Sequence, residues 1–85
     1  MLSYLRQVAV CDSVRKNIKR ALAKSDDMNV RLAANDINTT ESVLRAVSLS
    51  PSLDTEEKLK DFAFEHILRS LRLSAGQRER LNLNS

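Results

Sequence analysis

Four polar side chains that could take part in recognition lie close together in the segment Val30–Ser48, just after a turn signal. They are Thr40, Glu41, Ser42 and Arg45. If this part of the chain is helical, their spacing would turn them outward. Hydroxyl, carboxylate and guanidinium groups can form hydrogen bonds with base edges, and an arginine can bind guanine through two of them. We therefore treat these four residues as candidate base contacts.

The residues before them fit the end of one helix and a tight turn. Ala34 provides a small side chain where a second helix would cross the first closely, and Ile37 provides an apolar residue before the turn. Asn38 then occupies the turn, where asparagine enters the left-handed region at small cost. This order of residues is typical of a helix-turn-helix.

The residues after the turn predict the second helix of the motif. Asn38 and Glu41 have the spacing of a capping box, so this helix should begin near Thr39. Leu44 and Val47 lie about one turn apart and would point back at the first helix. Two short amphipathic helices in any small bundle need a similar turn, so an ordinary helical bundle stays open as the alternative.

A further helix is predicted ahead of the motif. Asp12 or Ser13 can cap it, and apolar residues recur every four positions at Val14, Ile18 and Leu22. We expect it to end near residues 25–27.

This preceding helix also carries a basic face. Its members, which lie three and four residues apart, are Arg15, Lys16, Lys19 and Arg20. The chain has a net charge of +3, but residues 1–24 hold six basic residues and one acidic residue, whereas residues 25–50 have a net charge of −2. Since affinity for DNA depends mainly on phosphate neutralisation, phosphate contacts would have to come from this face. The alternative is a face that is simply solvated.

The segments that flank the motif, VRKNIKRALAKSDDMNVRLA and SPSLDTEEKLKDF, extend the pattern. Together, the residues from Asp12 to Leu73 resemble the phage-repressor-like helix-turn-helix family, including its small antitoxin-type regulators. In that family a basic first helix leads into the two-helix motif, and a segment like Pro-Ser-Leu-Asp-Thr opens the next helix. The resemblance implies a transcriptional regulator that binds double-stranded DNA.

A long helix is predicted after the motif. Asp54 and Glu57 form a capping-box pair, and helical periodicity continues to about Arg72. A last short helix should start at Ser74, with Gln77 at the box position. The apolar residues of the long helix span an arc of roughly 240°, more than one covered side requires. We therefore expect the apolar surface that the rest of the domain does not cover to form a homodimer interface. The alternative is that the helix is central and the termini of the chain wrap around it. The expected contacts are Phe64, Leu68 and Leu71.

Composition restricts the fold class and the chemistry. The 85 residues include one Gly, one Pro and three aromatic residues, which predicts an all-α domain of four to five helices. Cys11 is the only cysteine, so no intramolecular disulfide is possible. We therefore expect Cys11 to be a core residue and the protein to reside in the reducing cytoplasm. His66, the only histidine, should be a partly buried imidazole beside Ser70. We expect no enzyme activity, no metal or other cofactor, and no membrane span, since no segment approaches ~20 apolar residues.

These observations predict a single helical domain. It would consist of an N-terminal extension over residues 1–11, helix 1 with the helix-turn-helix over 12–49, and C-terminal helices over 53–85. The extension is ambiguous, because residues 2–10 fit either a helix or a short strand paired across a dimer. The leading functional interpretation is a DNA-binding regulator of phage, plasmid or antitoxin type. The alternative, favoured by the acidic motif, is a helical adaptor or inhibitor that binds a protein and no nucleic acid.

Overall fold

Five α-helices and one short 3-10 helix are present in the part of the chain that the computed structural model describes, residues 2–50 and 52–81. The α-helices are α1 (Tyr4–Ala23), α2 (Met28–Ala33), α3 (Thr40–Ser48), α4 (Glu56–Ser70) and α5 (Ala75–Arg80), and the 3-10 helix Ala34–Asp36 follows α2. This confirms the predicted all-α class. Pro51, from the flanking segment quoted above, lies outside the described residues. None of the described helices is both long enough and apolar enough to cross a membrane.

The N-cap of helix α1 is Ser3, nine or ten residues earlier than the predicted caps Asp12 and Ser13. The side chain of Ser3 accepts a hydrogen bond from the Arg6 backbone N–H at 3.1 Å and caps the helix. Val10 and Cys11 are buried and extend the apolar stripe by one turn toward the N-terminus. The predicted start at Asp12 or Ser13 is therefore wrong, and so is the alternative of a strand over residues 2–10. Burial of this additional turn favours the helix over the local β-branched pattern.

The apolar stripe of α1 forms the centre of the core. Its members, all buried, are Val10, Cys11, Val14, Ile18 and Leu22. Against this stripe pack α2, the 3-10 helix, α3 and α4, and α3 also packs against α4. Burying an aliphatic side chain of this size contributes about 1.5–3 kcal/mol, so α1 accounts for much of the stability of the domain.

The turn between α2 and α3 differs in detail from the prediction. Thr39 caps α3, with its side chain accepting from the Ser42 N–H at 3.1 Å, so the expected capping role of Asn38 is wrong. Asn38 does not have positive φ, because the only such non-glycine residue among those described is Arg72. Ala34 lies in the 3-10 helix, which packs on α1. As a result, α2 and α3 meet in at most a marginal contact.

Helix α4 is covered more completely than its apolar arc predicted. Leu68 is only 4% exposed, and Phe64 and Leu71 are partly buried against the same core. The interpretation of Leu68 as an outward-facing dimer contact is therefore wrong. Leu68 belongs to the same buried cluster as the apolar stripe of α1, and the first turn of α4 is joined to the first turn of α1 by an ion pair of 2.6 Å between Glu56 and Arg6. The side chain that caps α4 belongs to Thr55 rather than to the predicted Asp54.

The C-terminal helix α5 forms as predicted. Ser74 and Gln77 make a complete capping box, with both reciprocal hydrogen bonds present. Gln77 also donates to the Asp27 carboxylate at 3.1 Å, and Arg78 forms an ion pair with Glu65 at 2.9 Å. These two contacts connect α5 to the N-cap of α2 and to α4. Leu81, which follows α5, packs into the core.

Arg72 allows a direct test of backbone strain at the end of α4. It follows the C-cap residue Leu71 and has φ of 56°, a conformation that glycine adopts at much lower cost. Arg72→Gly should raise the free energy of unfolding by about 0.5–1 kcal/mol, measured by urea denaturation. The matched control Arg69→Gly, within α4, should lower it by about 1 kcal/mol. A loss of stability in both variants would contradict the role assigned to the left-handed conformation.

Candidate nucleic-acid interface

Three of the four predicted phosphate contacts share one exposed face of α1. Lys16, Lys19 and Arg20, together with Ala23, line a shallow hollow of about 450 Å³ on the outer side of the helix. The side chain of Lys16 is 67% exposed. The face lies opposite the buried stripe, because helical periodicity separates residues 16 and 20 from residues 14 and 18 by about half a turn. We call these three residues the basic face.

Arg15 is instead half-buried and bonded to other parts of the protein. Its Nε–H donates to the Asn38 carbonyl oxygen at 2.6 Å, and a terminal nitrogen donates to Thr40 Oγ1 at 3.2 Å. The side chain is only 26% exposed. Arg15 therefore does not extend freely from the basic face, as its spacing had predicted, but connects the middle of α1 to the start of α3.

Asn38 is the point at which three parts of the fold meet. Its backbone carbonyl accepts from Arg15, and its side-chain oxygen accepts from the Ser70 hydroxyl at 2.5 Å, at the end of α4. These two bonds hold Asn38, which directly precedes the N-cap of α3, in a fixed position between α1 and α4. Sequence analysis had assigned Asn38 to the turn for its backbone tolerance and had not anticipated these long-range bonds.

Asp12 joins the same group of side chains and connects it to the basic face. One carboxylate oxygen lies 3.4 Å from both the Arg15 guanidinium and Thr40 Oγ1, and the other lies 2.9 Å from Lys16 Nζ. The Lys16 hydrogen bond, followed by the charges of Lys16 and Arg15 and by the Thr40 hydrogen bond, lowers the pKa of Asp12 below its usual range. We call Asp12, Arg15, Lys16 and Thr40 the Asp12 cluster.

The candidate base contacts divide between the two sides of α3. Glu41 and Arg45 are exposed and lie four residues apart on the outward side, with Ser42 half-buried beside them. Thr40 lies on the inward side, with the buried Val43, and its hydroxyl belongs to the Asp12 cluster. The prediction of an outward Thr40 is therefore wrong, because this hydroxyl satisfies partners within the protein. Val43, which the sequence analysis had not named, is the core residue of this helix along with Val47.

The two residues that could have supported other chemistry are in unreactive settings. Cys11 is fully buried, and burial raises the pKa of its thiol, in agreement with the predicted core role. The His66 ring is half-buried and stacks on Phe62, with ring centroids 6.0 Å apart. The Ser70 hydroxyl, with one hydrogen to donate, has the Asn38 side-chain oxygen and the Ile67 carbonyl oxygen as its two alternative acceptors, and His66 is not among its partners. Across residues 2–50 and 52–81, no three His, Cys, Asp or Glu residues lie together as a metal site would require.

No protein-family model, curated protein or solved structure matches this chain. The resemblance to phage-repressor-like regulators stays a prediction from the residues quoted above. The functional argument accordingly depends on the basic face, the Asp12 cluster and the exposed side of α3.

The lowered pKa of Asp12 predicts a local effect of pH that can be measured directly. Because its folded-state pKa is lowered, the Asp12 carboxylate adds stability that is present above about pH 4 and is lost as the pH falls through the folded-state pKa. In an NMR titration, Lys16→Gln should raise the pKa of Asp12, since it removes the largest cause of the shift. The matched control Lys19→Gln, on the same face, should leave it unchanged. Equal effects of the two variants would exclude a specific Asp12–Lys16 pair.

Proposed function

We propose that this protein binds double-stranded DNA as a small regulator of phage, plasmid or antitoxin type. The basic face of α1 contacts phosphates, and the outward side of α3 faces base edges through Glu41, Ser42 and Arg45. The observation that carries the proposal is the pair of hydrogen bonds from Arg15 to Asn38 and Thr40. They hold the start of α3 against the basic helix, so both candidate surfaces belong to one rigid unit.

Charge distribution supports this division of roles. The net charge of residues 1–24 is +5 and that of residues 25–50 is −2, so within residues 1–50 the attraction to phosphate must come from the basic N-terminal part that includes α1. A protein that neutralises three phosphates has a slope of log affinity against log salt of about −2.7. The basic face therefore provides modest and strongly salt-dependent binding.

Outward residues of α3 have the chemistry for sequence preference. Arg45 can donate two hydrogen bonds to one guanine, and Glu41 can accept from the amino group of cytosine. Arg15 and Thr40 act indirectly, by fixing the position of the helix that bears these groups. The buried, single Cys11 suits a reducing cytoplasm, which is the compartment of such a regulator.

Removing the charge of the basic face tests the proposal. Wild-type protein should bind a labelled duplex at 50 mM salt and lose about ten- to fortyfold in affinity at 200 mM, the range for two to three phosphate contacts. The variant with Lys16→Gln, Lys19→Gln and Arg20→Gln should bind weakly, with little salt dependence, in fluorescence anisotropy.

The matched control changes three exposed cations of α4, with Lys58→Gln, Lys60→Gln and Arg69→Gln. It has the same net charge as the first variant and should bind nearly as wild type. Equal losses in both variants would indicate a response to net charge alone and would remove the basic face from the interface. Failure of the wild type to bind any duplex at 50 mM salt would overturn the proposal.

A protein-interaction module is the second candidate, favoured by one observation on α2. Met28 and Leu32 lie four residues apart on the same side of this helix and are 64% and 57% exposed. Exposed Asp26 and Asp36 flank the pair along the chain. An apolar helix face of this kind suits contact with a helical or grooved protein partner.

Substitution of the α2 pair separates this candidate from the first. Met28→Ser with Leu32→Ser should abolish any specific retention of a protein from native lysate and leave duplex binding unchanged. Leu49→Ser, a change at a still more exposed apolar residue after α3, is the control and should retain that protein. Retention that survives the double substitution would exclude α2 as the docking surface.

A further inference from the structure

The basic face carries an acidic residue at its edge. Asp12 is the only acidic residue in α1, and its carboxylate lies 2.9 Å from Lys16 Nζ. Lys16 is one of the three cations that line the hollow on this face. A cation that is meant to bind phosphate is thus already paired with an anion from the same helix.

An incoming phosphate must compete with this carboxylate. Lys16 is largely exposed, so separating the pair costs little, because exposed ion pairs contribute little stability. The carboxylate nevertheless stays within one helical turn of Lys16, since Arg15 and Thr40 also hold it. A phosphate bound to Lys16 would therefore lie close to a fixed negative charge, and the face provides fewer effective phosphate contacts than it has cations.

We propose that Asp12 is an intramolecular competitor for phosphate that sets the affinity of the basic face for DNA. This inference rests on the proposed function and identifies how the same surface is limited. The two carboxylate oxygens have different partners. One accepts a hydrogen bond from Thr40 at the start of α3, and the other neutralises Lys16. One residue thereby positions the helix that faces the bases and restrains non-specific attraction to the duplex backbone.

Asp12→Asn separates these two roles. The amide oxygen can still accept hydrogen bonds from Thr40 and Arg15, whereas the negative charge beside Lys16 is removed. At 50 mM salt the variant should bind the duplex about tenfold more tightly than wild type. Between 50 and 200 mM salt its loss of affinity should be about three- to fourfold larger than that of wild type, as one added phosphate contact requires. Combination with Lys16→Gln should abolish this gain.

Asp54→Asn is the matched control. Asp54 pairs with Lys58 at the same distance of 2.9 Å and the same spacing of four residues, but at the start of α4. Asp54→Asn changes the net charge by the same amount as Asp12→Asn. It should leave the duplex affinity and its salt dependence close to those of wild type. Equal gains in Asp12→Asn and Asp54→Asn would overturn the inference.

Two further variants distinguish charge from structure. Thr40→Val removes the hydroxyl that bonds to Asp12 without changing charge, so it should leave the salt dependence unchanged. If Asp12→Asn loses helix content by circular dichroism, Asp12→Ser provides a second test, since it also removes the carboxylate. Unchanged binding in a folded Asp12 variant, with a wild type that binds duplex, overturns this inference alone. A wild type that binds no duplex overturns the proposed function and this inference together.

Discussion

Burial of the apolar stripe of α1 is the interaction on which the rest of this structure depends. The stripe, Val10 to Leu22, is the surface against which α2, the 3-10 helix, α3 and α4 all pack. A domain of this size has a small core, so a helix that takes part in most of the packing interfaces leaves little tolerance for change along that side. The opposite side of the same helix is consequently free to carry charge, and there the basic face lies.

Polar contacts then determine which charged groups of α1 are available to a partner. Arg15 lies nearest to the start of α3 and is used there, because a backbone carbonyl and a hydroxyl at that position need a donor. Lys19 and Arg20 lie about one turn farther along the helix and are exposed. Asp12 bonds to Arg15 and Thr40 with one carboxylate oxygen and to Lys16, on the basic face, with the other. The structural role of Arg15 thus follows from its position beside the start of α3, within reach of Asn38 and Thr40.

The exposed apolar surface of the protein does not lie on the long helix α4, where helical periodicity had predicted it. The wide arc of α4 packs against α1 and α3, with four of its apolar residues buried and the other four partly buried. Among the described residues, the large exposed apolar side chains lie elsewhere: Tyr4 and Leu5 in the first turn of α1, Met28 and Leu32 on α2, and Leu49 after α3. A six-residue helix that buries one side chain, Val30, has little area with which to cover its outer side.

Local sequence by itself determined the helical class, the periodic stripe from Val14 to Leu22, the start of α3 to within a residue, and the capping box of α5. These features depend on spacing and capping within a few residues, which any reader of the chain can evaluate. Tertiary structure decided how far α1 extends, which side of α4 is covered, and that Arg15 and Thr40 bond to one another. Each of these depends on partners more than twenty residues away, and a periodic pattern specifies a face without specifying what lies against it.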